Sequence, residues 1–296
     1  MAANPDVSIS IVSYNTVTAL RACLHAVRTS TGVACETTVV DNASADGSAD
    51  MVAREFPDVR LIRNAENRGF AAASNQGLDG ARGRHLLLLN PDAVVTPSAI
   101  ASLARFLDAH PDVGVCGPRV LLADGTLQSC GRTFPTVFSI LRQSRSVDRL
   151  ASWLGSPVDD RPPSSPSACD WVEGACLLIR RDVAARIGPL DERFFLYAEE
   201  MDWCHAAQEA GWKVFVLPDV NVSHHQGAST RQVELTSLTH LVKANLQYFE
   251  KRRGRVVAWL VAAITVAGYG RQLLTEPRPA RAKIAGVRAW ATARRV

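Results

Sequence analysis

The chain has 296 residues, 47% hydrophobic and 21% charged, which excludes a disordered or fibrous protein and leaves room for one large α/β unit plus an appendage. The net charge of +4 is a property of the tail. From Lys251 to Val296 eleven Lys/Arg accompany one acid, Glu276, so residues 1–250 are acidic; this excludes a nucleic-acid-binding body and points to an anionic surface near the C-terminus.

In chain order, "VSISIV" (Val7 to Val12) reads as a strand, and a helix with Leu20, Leu24 and Val27 on one stripe follows. Next come the strand "TTVV" (Thr37 to Val40), a helix through Met51, Val52 and Phe56, the strand "VRLI" (Val59 to Ile62) and a helix from about Phe70 to Asp79. Leu86 to Leu89 form a run that reads as a strand buried on both faces. A helix opened by Pro97 and the strand "VGVCG" (Val113 to Gly117) complete a repeated βα pattern, which predicts a mostly parallel sheet with helices on both faces. Asp124-Gly125 signals a hairpin. Beyond it the sequence predicts a helical run near Val137 to Leu154, a Pro/Ser-rich mobile loop, and an apolar strand within Cys169 to Arg181 entered through Gly174. A short helix near Asp182 to Ile187, a helix from about Glu199 to Ala210, the strand "KVFVL" (Lys213 to Leu217), a loop from Val222 to Thr230 and a long helix from about Val233 to Lys251 close the body. The expected division is residues 1–250 as the main domain and 251–296 as a basic, amphipathic helical tail.

Seven scattered cysteines without a Cys-x-x-Cys pair read as reduced thiols, and "MAANPDVSISIV" lacks the apolar core of a secretory signal, so a cytoplasmic location is expected. In a parallel sheet the ligand sits at the carboxyl ends of the strands, and here those ends are polar: Ser13-Tyr14-Asn15, Asp41-Asn42, Asn64 with Asn67, Arg68 and Gly69 close behind, and Asn90-Pro91-Asp92. Each alone is ordinary turn chemistry; together they line one rim. The first turn has no glycine, so a bound diphosphate would need another neutralising device, and a divalent cation held by Asp92 is the economical one. Asp41 could accept from a base or ribose, or simply close an Asx turn with Ser44. His224 or His225 could add an imidazole to the cation, or either could be a solvated loop residue. In "AEEMD" the acids suit a helix start, where Glu199 and Asp202 share a face and Glu200 points about 100° away, so only some can enter one site.

The ordered set "IVSYN", "VVDNASADGS", "NRGFAAASNQG", "LLLLNPDA", "DWVEGACLLIRR", "FFLYAEEMDWCHAAQEAGW" and "HHQGAS" resembles the family 2 glycosyltransferases, in particular bacterial rhamnosyltransferase-like members, from about Ser8 to Phe249. The resemblance implies a GT-A type fold, a Rossmann-like mixed sheet flanked by helices, here with a C-terminal helical extension. It further implies nucleotide contacts from Ser13, Tyr14, Asn15, Asp41 and Asn42, with Asn67, Arg68, Gly69, Asn75 and Asn90 supporting the nucleotide. Mn2+ or Mg2+ is implied at Asp92, with His224 aligned best and His225 as the fallback. Trp171, Glu173, Gly174 and Ala175 would back the sugar or acceptor pocket, and Glu200, beside Glu199, would be the catalytic base. Two departures stand out: Asn90 replaces the first acid of the family's Asp-x-Asp, and Glu200 replaces the family's Asp. The implied reaction inverts the anomeric centre and moves a sugar, rhamnose on dTDP first, from a nucleoside-diphosphate donor to a saccharide or lipid-linked saccharide of the cell envelope. Galactofuranose, glucose or mannose on UDP or GDP, and a non-catalytic sugar-nucleotide-binding module, are the alternatives. A sugar-1-phosphate nucleotidyltransferase would need a Gly-rich first loop, and "SYN" is not one. The fifteen uncharged residues Val256 to Gly270 are too few for a spanning helix; they suit either a helix packed on the body or an interfacial one, which would set the enzyme at the inner face of the cell membrane.

Overall fold

The computed structural model describes residues 4–143, 163–225, 234–272 and 277–293. The N-terminal half runs β1 (Val7–Ser13), α1 (Val17–Arg28), β2 (Cys35–Asp41), α2 (Ser48–Glu55), β3 (Arg60–Arg63), α3 (Phe70–Leu78), β4 (His85–Leu89), β5 (Ala93–Val95), α4 (Ala99–Ala109), β6 (Val113–Leu122) and β7 (Leu127–Ser129). The second half adds α5 (Val137–Gln143), β8 (Ser167–Ala168), β9 (Cys176–Arg180), α6 (Arg181–Ile187), α7 (Glu199–Glu209), β10 (Lys213–His224), α8 (Glu234–Arg253), α9 (Arg255–Gln272) and α10 (Pro277–Thr292). The end of the helix expected near Val137 to Leu154, most of the Pro/Ser-rich loop, and the stretch from Gln226 to Val233 lie outside the described residues.

The strands form one sheet in the order β3-β2-β1-β4-β9-β6-β10-β5, with β7 beside β6 and β8 beside β10. The sequence predicts a mostly parallel sheet; the sheet is mixed, because β9 enters between β4 and β6 and runs antiparallel to both. β4 meets the expectation of a strand buried on both faces. Leu87 and Leu89 join the core beneath α1, α2 and α4, while Leu86 and Leu88 join the core that includes residues of α6, α7 and α8. All seven cysteines are free thiols.

Helix α3 carries the loop behind the third strand tight against the rest of the site. Gly69 has φ +83, and a Cβ there would come within 2.5 Å of the Phe195 carbonyl oxygen, which accepts the Phe70 N–H at 2.6 Å. Helices α8, α9 and α10 pack on one another around Val242, Leu246, Phe249, Val261 and Trp290, a third core that Ile140 of α5 also enters. No helix of the described residues is long and apolar enough to cross a membrane.

Candidate active site

Two antiparallel junctions build the site. The chain leaves β4 at Asn90, turns through Pro91-Asp92 and re-enters as β5, which pairs antiparallel with the end of β10, so Ala93 lies opposite His224. The expected loop over Val222 to His224 is therefore strand, and that pairing sets the His224 Nε2 3.0 Å from Asp92 Oδ1. His225 is exposed and joins the cluster through its backbone N–H, which donates to the Asp92 carbonyl at 2.9 Å. At the second junction β4 pairs with β9, so the Asn90 N–H donates to the Ala175 carbonyl at 3.1 Å. The turn that precedes β9 thereby lies against the Asn90–Asp92 corner.

Helix α7 brings the acids to the same turn. The Gly174 N–H lies 3.4 Å from Glu200 Oε1, and a Cβ on Gly174 would rest 3.5 Å from that oxygen. Burial holds both carboxyls above the ordinary range. For Glu199, which is 4% exposed, the charge of Glu200 adds to the burial; for Glu200, backbone N–H groups, Gly174 among them, partly offset it. Asp202, expected by helical spacing to share a face with Glu199, is instead paired with Lys251 and Arg252 of α8.

Among the described residues, the buried carboxylate oxygens without a hydrogen bond are Asp41 Oδ1, Glu199 Oε2 and Glu200 Oε2. Buried polar atoms normally find partners, so these unfilled acceptors, one at the end of β2 and two at the start of α7, are open to a ligand's donors. The backbone gives a parallel signal. The non-glycine residues with positive φ are Asn15 (φ 53), Ala43 (φ 67), Tyr197 (φ 74) and Ala198 (φ 67), and all follow β1 or β2 or precede α7.

Several residues expected to touch ligand are committed elsewhere. Asn42, 2% exposed, donates through Nδ2 to Asn67 Oδ1 (2.8 Å) and the Gly69 carbonyl (3.2 Å) and accepts from Asn64 and the Arg68 N–H, so it shapes the loop rather than offering donors to a nucleotide. Asn75 spends its amide on both backbone groups of Leu190. The Ser13 hydroxyl is buried against Thr16, and Asn15 accepts from the Ala45 N–H. Trp171 is fully buried with its indole N–H on the Thr133 carbonyl, and Ala175 is 3% exposed. Asp41 does close the Asx turn, through Oδ2 to the Ser44 N–H at 3.1 Å, but this leaves Oδ1 unfilled. Tyr14 is half-buried and Arg68 exposed at the same rim.

A cation fits the Asp92–His224 pair: each side chain is 11% exposed, and a carboxylate oxygen faces an imidazole nitrogen. Among the described residues no group of three or more His, Cys, Asp or Glu could hold a metal, so further ligands would come from a diphosphate and water, as is usual for Mg2+. Sequence reasoning missed Gln128 and Arg132. Glu173 lies between them, accepting from Gln128 Nε2 and Arg132 Nε at 2.7 Å each, and Gln128 Oε1 lies 3.0 Å from His224 Nδ1. Only the Asp124-Gly125 turn hinted that β7 folds back toward the rim.

The mixed α/β sheet flanked by helices, with its helical C-terminal region, is of the GT-A type. Residues 8–147 match the family model described as Glycosyl transferase family 2. The chain is 28% identical over 208 residues to the N-acetylglucosaminyl-diphospho-decaprenol L-rhamnosyltransferase of Mycobacterium tuberculosis, covering 65% of this chain and 67% of that one. It is 26% identical over 241 residues to the low-salt glycan biosynthesis hexosyltransferase Agl10 of Haloferax volcanii, covering 80% and 72% respectively. The fold is similar to that of the mannosyltransferase PcManGT from Pyrobaculum calidifontis, solved with GDP-Man and Mn2+, with a TM-score of 0.61 at 18% identity over 99% of this chain and 88% of that one. It is also similar to GalNAc-T7 solved with UDP, GalNAc and Mn2+, with a TM-score of 0.57 at 16% identity over 81% and 47%.

Proposed function

We propose that this enzyme inverts the anomeric centre of a nucleoside-diphosphate sugar, rhamnose on dTDP, as it transfers the sugar to a hydroxyl of a saccharide or lipid-linked saccharide of the cell envelope. The observation that carries this reading is the 173–175 turn, which reaches both halves of the site. Ala175 bonds Asn90, Glu173 reaches His224 through Gln128, and Gly174 meets Glu200. The unfilled Asp41 Oδ1 suits a base N–H or ribose hydroxyl. Asp92 and His224 would hold Mn2+ or Mg2+, which when bound supplies positive charge against the departing diphosphate. Glu200 takes the proton of the acceptor hydroxyl while that oxygen attacks from the face opposite the leaving group. The Mycobacterium tuberculosis relative, named for L-rhamnosyl transfer to a decaprenol-linked acceptor, supports the sugar and the acceptor class.

Binding and hydrolysis measured across dTDP-rhamnose and UDP- and GDP-linked hexoses, with and without Mn2+, test the donor. Preference for dTDP-rhamnose is expected, and selective use of a UDP or GDP sugar overturns that assignment. In the same assay Asp92→Asn weakens the Mn2+-dependent part of donor binding by at least about 10-fold, since one carboxylate supplies the charge. An unaltered Mn2+ response removes Asp92 from the metal site.

A peripheral membrane contact belongs to the same proposal. Helix α9 buries Ala258, Val261, Ala262 and Thr265 in the helical core and exposes Val256 (85%), Trp259 (50%), Leu260 (50%) and Val266 (40%) on its other face, with exposed Arg253 and Arg255 at its start. An apolar stripe beside basic residues suits the inner, anionic leaflet and would bring a lipid-linked acceptor to the site. Trp259→Glu with Leu260→Glu should abolish sedimentation with phosphatidylserine-containing vesicles; co-sedimentation equal to the wild type discards the contact.

A further inference from the structure

We propose that Gln128, oriented by Glu173 and Arg132, is a positioning residue that locks His224 as its Nδ1–H tautomer and so turns the Nε2 lone pair toward Asp92. The consequence for metal binding rests on the reading of Asp92 and His224 given above; the tautomer itself does not.

The orientation propagates from one end. An arginine carries only donors, and Arg132 presents them to Glu173 Oε1, through Nε at 2.7 Å and through Nη2. The Arg132 and Glu173 side chains are 8% and 11% exposed, and Arg132 also lies over the Trp171 ring at 5.6 Å, so this end of the chain is fixed by packing as well as charge. Glu173 Oε2 then faces the Gln128 amide at 2.7 Å, which obliges Gln128 to offer its NH2 there. The Gln128 carbonyl oxygen is thereby aimed the other way, 3.0 Å from His224 Nδ1. An amide oxygen only accepts, so Nδ1 carries the hydrogen, and a neutral imidazole has one hydrogen to give. Nε2 is left with its lone pair, 3.0 Å from Asp92 Oδ1 and 3.3 Å from Asn90 Nδ2.

Facing a lone pair across 3.0 Å, a carboxylate oxygen repels it unless positive charge or a donor lies between. Asn90, standing where an acid is usual in this family, supplies a donor in the metal-free state and can swing away when a cation takes that place. The wrong tautomer would point an N–H at the cation instead. Imidazole in water favours the Nε2–H form, so without Gln128 the site would spend most of its time in the state that excludes metal. Partners of this kind typically change metal affinity by about 10–100-fold when removed.

The test uses the full chain labelled with 15N-histidine, His224 being assigned by comparison with His224→Gln, at about pH 8.5, two units above the ordinary histidine value. The wild type should show His224 as Nδ1–H without any metal. Gln128→Met should shift it toward Nε2–H. Titration with Mn2+ alone, followed by the electron paramagnetic resonance of the free ion, should show affinity about 10–100-fold weaker in Gln128→Met. An Nε2–H tautomer in the wild type, or an unchanged tautomer in Gln128→Met, overturns the inference. Asp92→Asn serves as the separate control: if it leaves Mn2+ binding unchanged, the metal reading fails while the tautomer still judges Gln128.

Discussion

Glu200→Gln should bind the donor as the wild type does and turn it over about 10²–10⁴ times more slowly, the range for loss of a general base. The assignment to Glu200 rather than its neighbour follows from their surroundings. Burial raises both, but Glu199 is held well above the ordinary carboxylate range by burial and then by the charge of Glu200, whereas two backbone N–H groups, its own and that of Gly174, favour the charged form of Glu200, with Glu173 and Arg132 acting against each other. Of the two, Glu199 keeps the proton and Glu200 ionises. Because the Glu200 value is raised by burial, the acid limb of kcat/KM should lie above the ordinary carboxylate range, with activity falling as pH drops through it. Stability runs in the opposite sense. A carboxyl whose folded-state pKa is raised contributes fully below its unfolded value and loses that contribution as pH rises through the folded one. Glutamine does not ionise, so Glu200→Gln, which leaves no charge to bury, should be more stable than the wild type at pH 8, and the gap should close toward pH 4. Unchanged turnover, or donor binding that falls in parallel with turnover, would return Glu200 to a structural role.

That pairing of lost activity with gained stability also explains what could be read from the sequence. The run Leu86 to Leu89 and the polar strand ends are local signals, a period and a boundary, and the fold obeys them. Nothing local says that β9 runs antiparallel between β4 and β6, because Cys176 to Arg180 is apolar on both faces and would suit either direction. The same blindness hides His224: a strand that continues through Asn221 and His224 to pair with three residues after Asp92 looks, one residue at a time, like a loop. The amides are opaque for a related reason. Asn42, Asn67 and Asn75 have the chemistry to bind a nucleotide, and only coordinates reveal that Asn64, Gly69 and Leu190 already use much of that chemistry. Gln128 and Arg132 carry no motif at all; they matter through Glu173, 41 residues beyond Arg132 in the chain.

Asp202→Ala should cost about 3–5 kcal/mol, a large part of the 5–15 kcal/mol typical of a folded domain, and should do so without marking Asp202 as catalytic. Its side chain is 6% exposed; Oδ1 accepts from Arg252 Nε at 2.7 Å and Oδ2 from Lys251 Nζ at 2.8 Å, while Arg252 Nη2 donates to the Asp202 carbonyl at 2.8 Å. Lys251 has a second partner in Asp191 and part of its charge in water, but Arg252 is 8% exposed and would keep, besides the Asp202 backbone carbonyl, only one anion, Glu209, itself 60% exposed. The cost therefore comes from stranding the guanidinium more than from losing the pair's attraction. This cluster clamps the end of α8 to the first turn of α7, the turn that aims Glu200 at Gly174, so the damage should appear as a lower melting temperature with KM and kcat near normal in the fraction that stays folded. Removing both charges separates the two explanations: Asp202→Leu with Arg252→Met should recover most of the lost stability, because an apolar pair of similar volume replaces the buried ions without leaving either alone. A double variant as unstable as the single one would mean that the hydrogen bonds themselves, not the stranded charge, hold α7 in place, and a normal melting temperature with lost turnover would move Asp202 into the reaction.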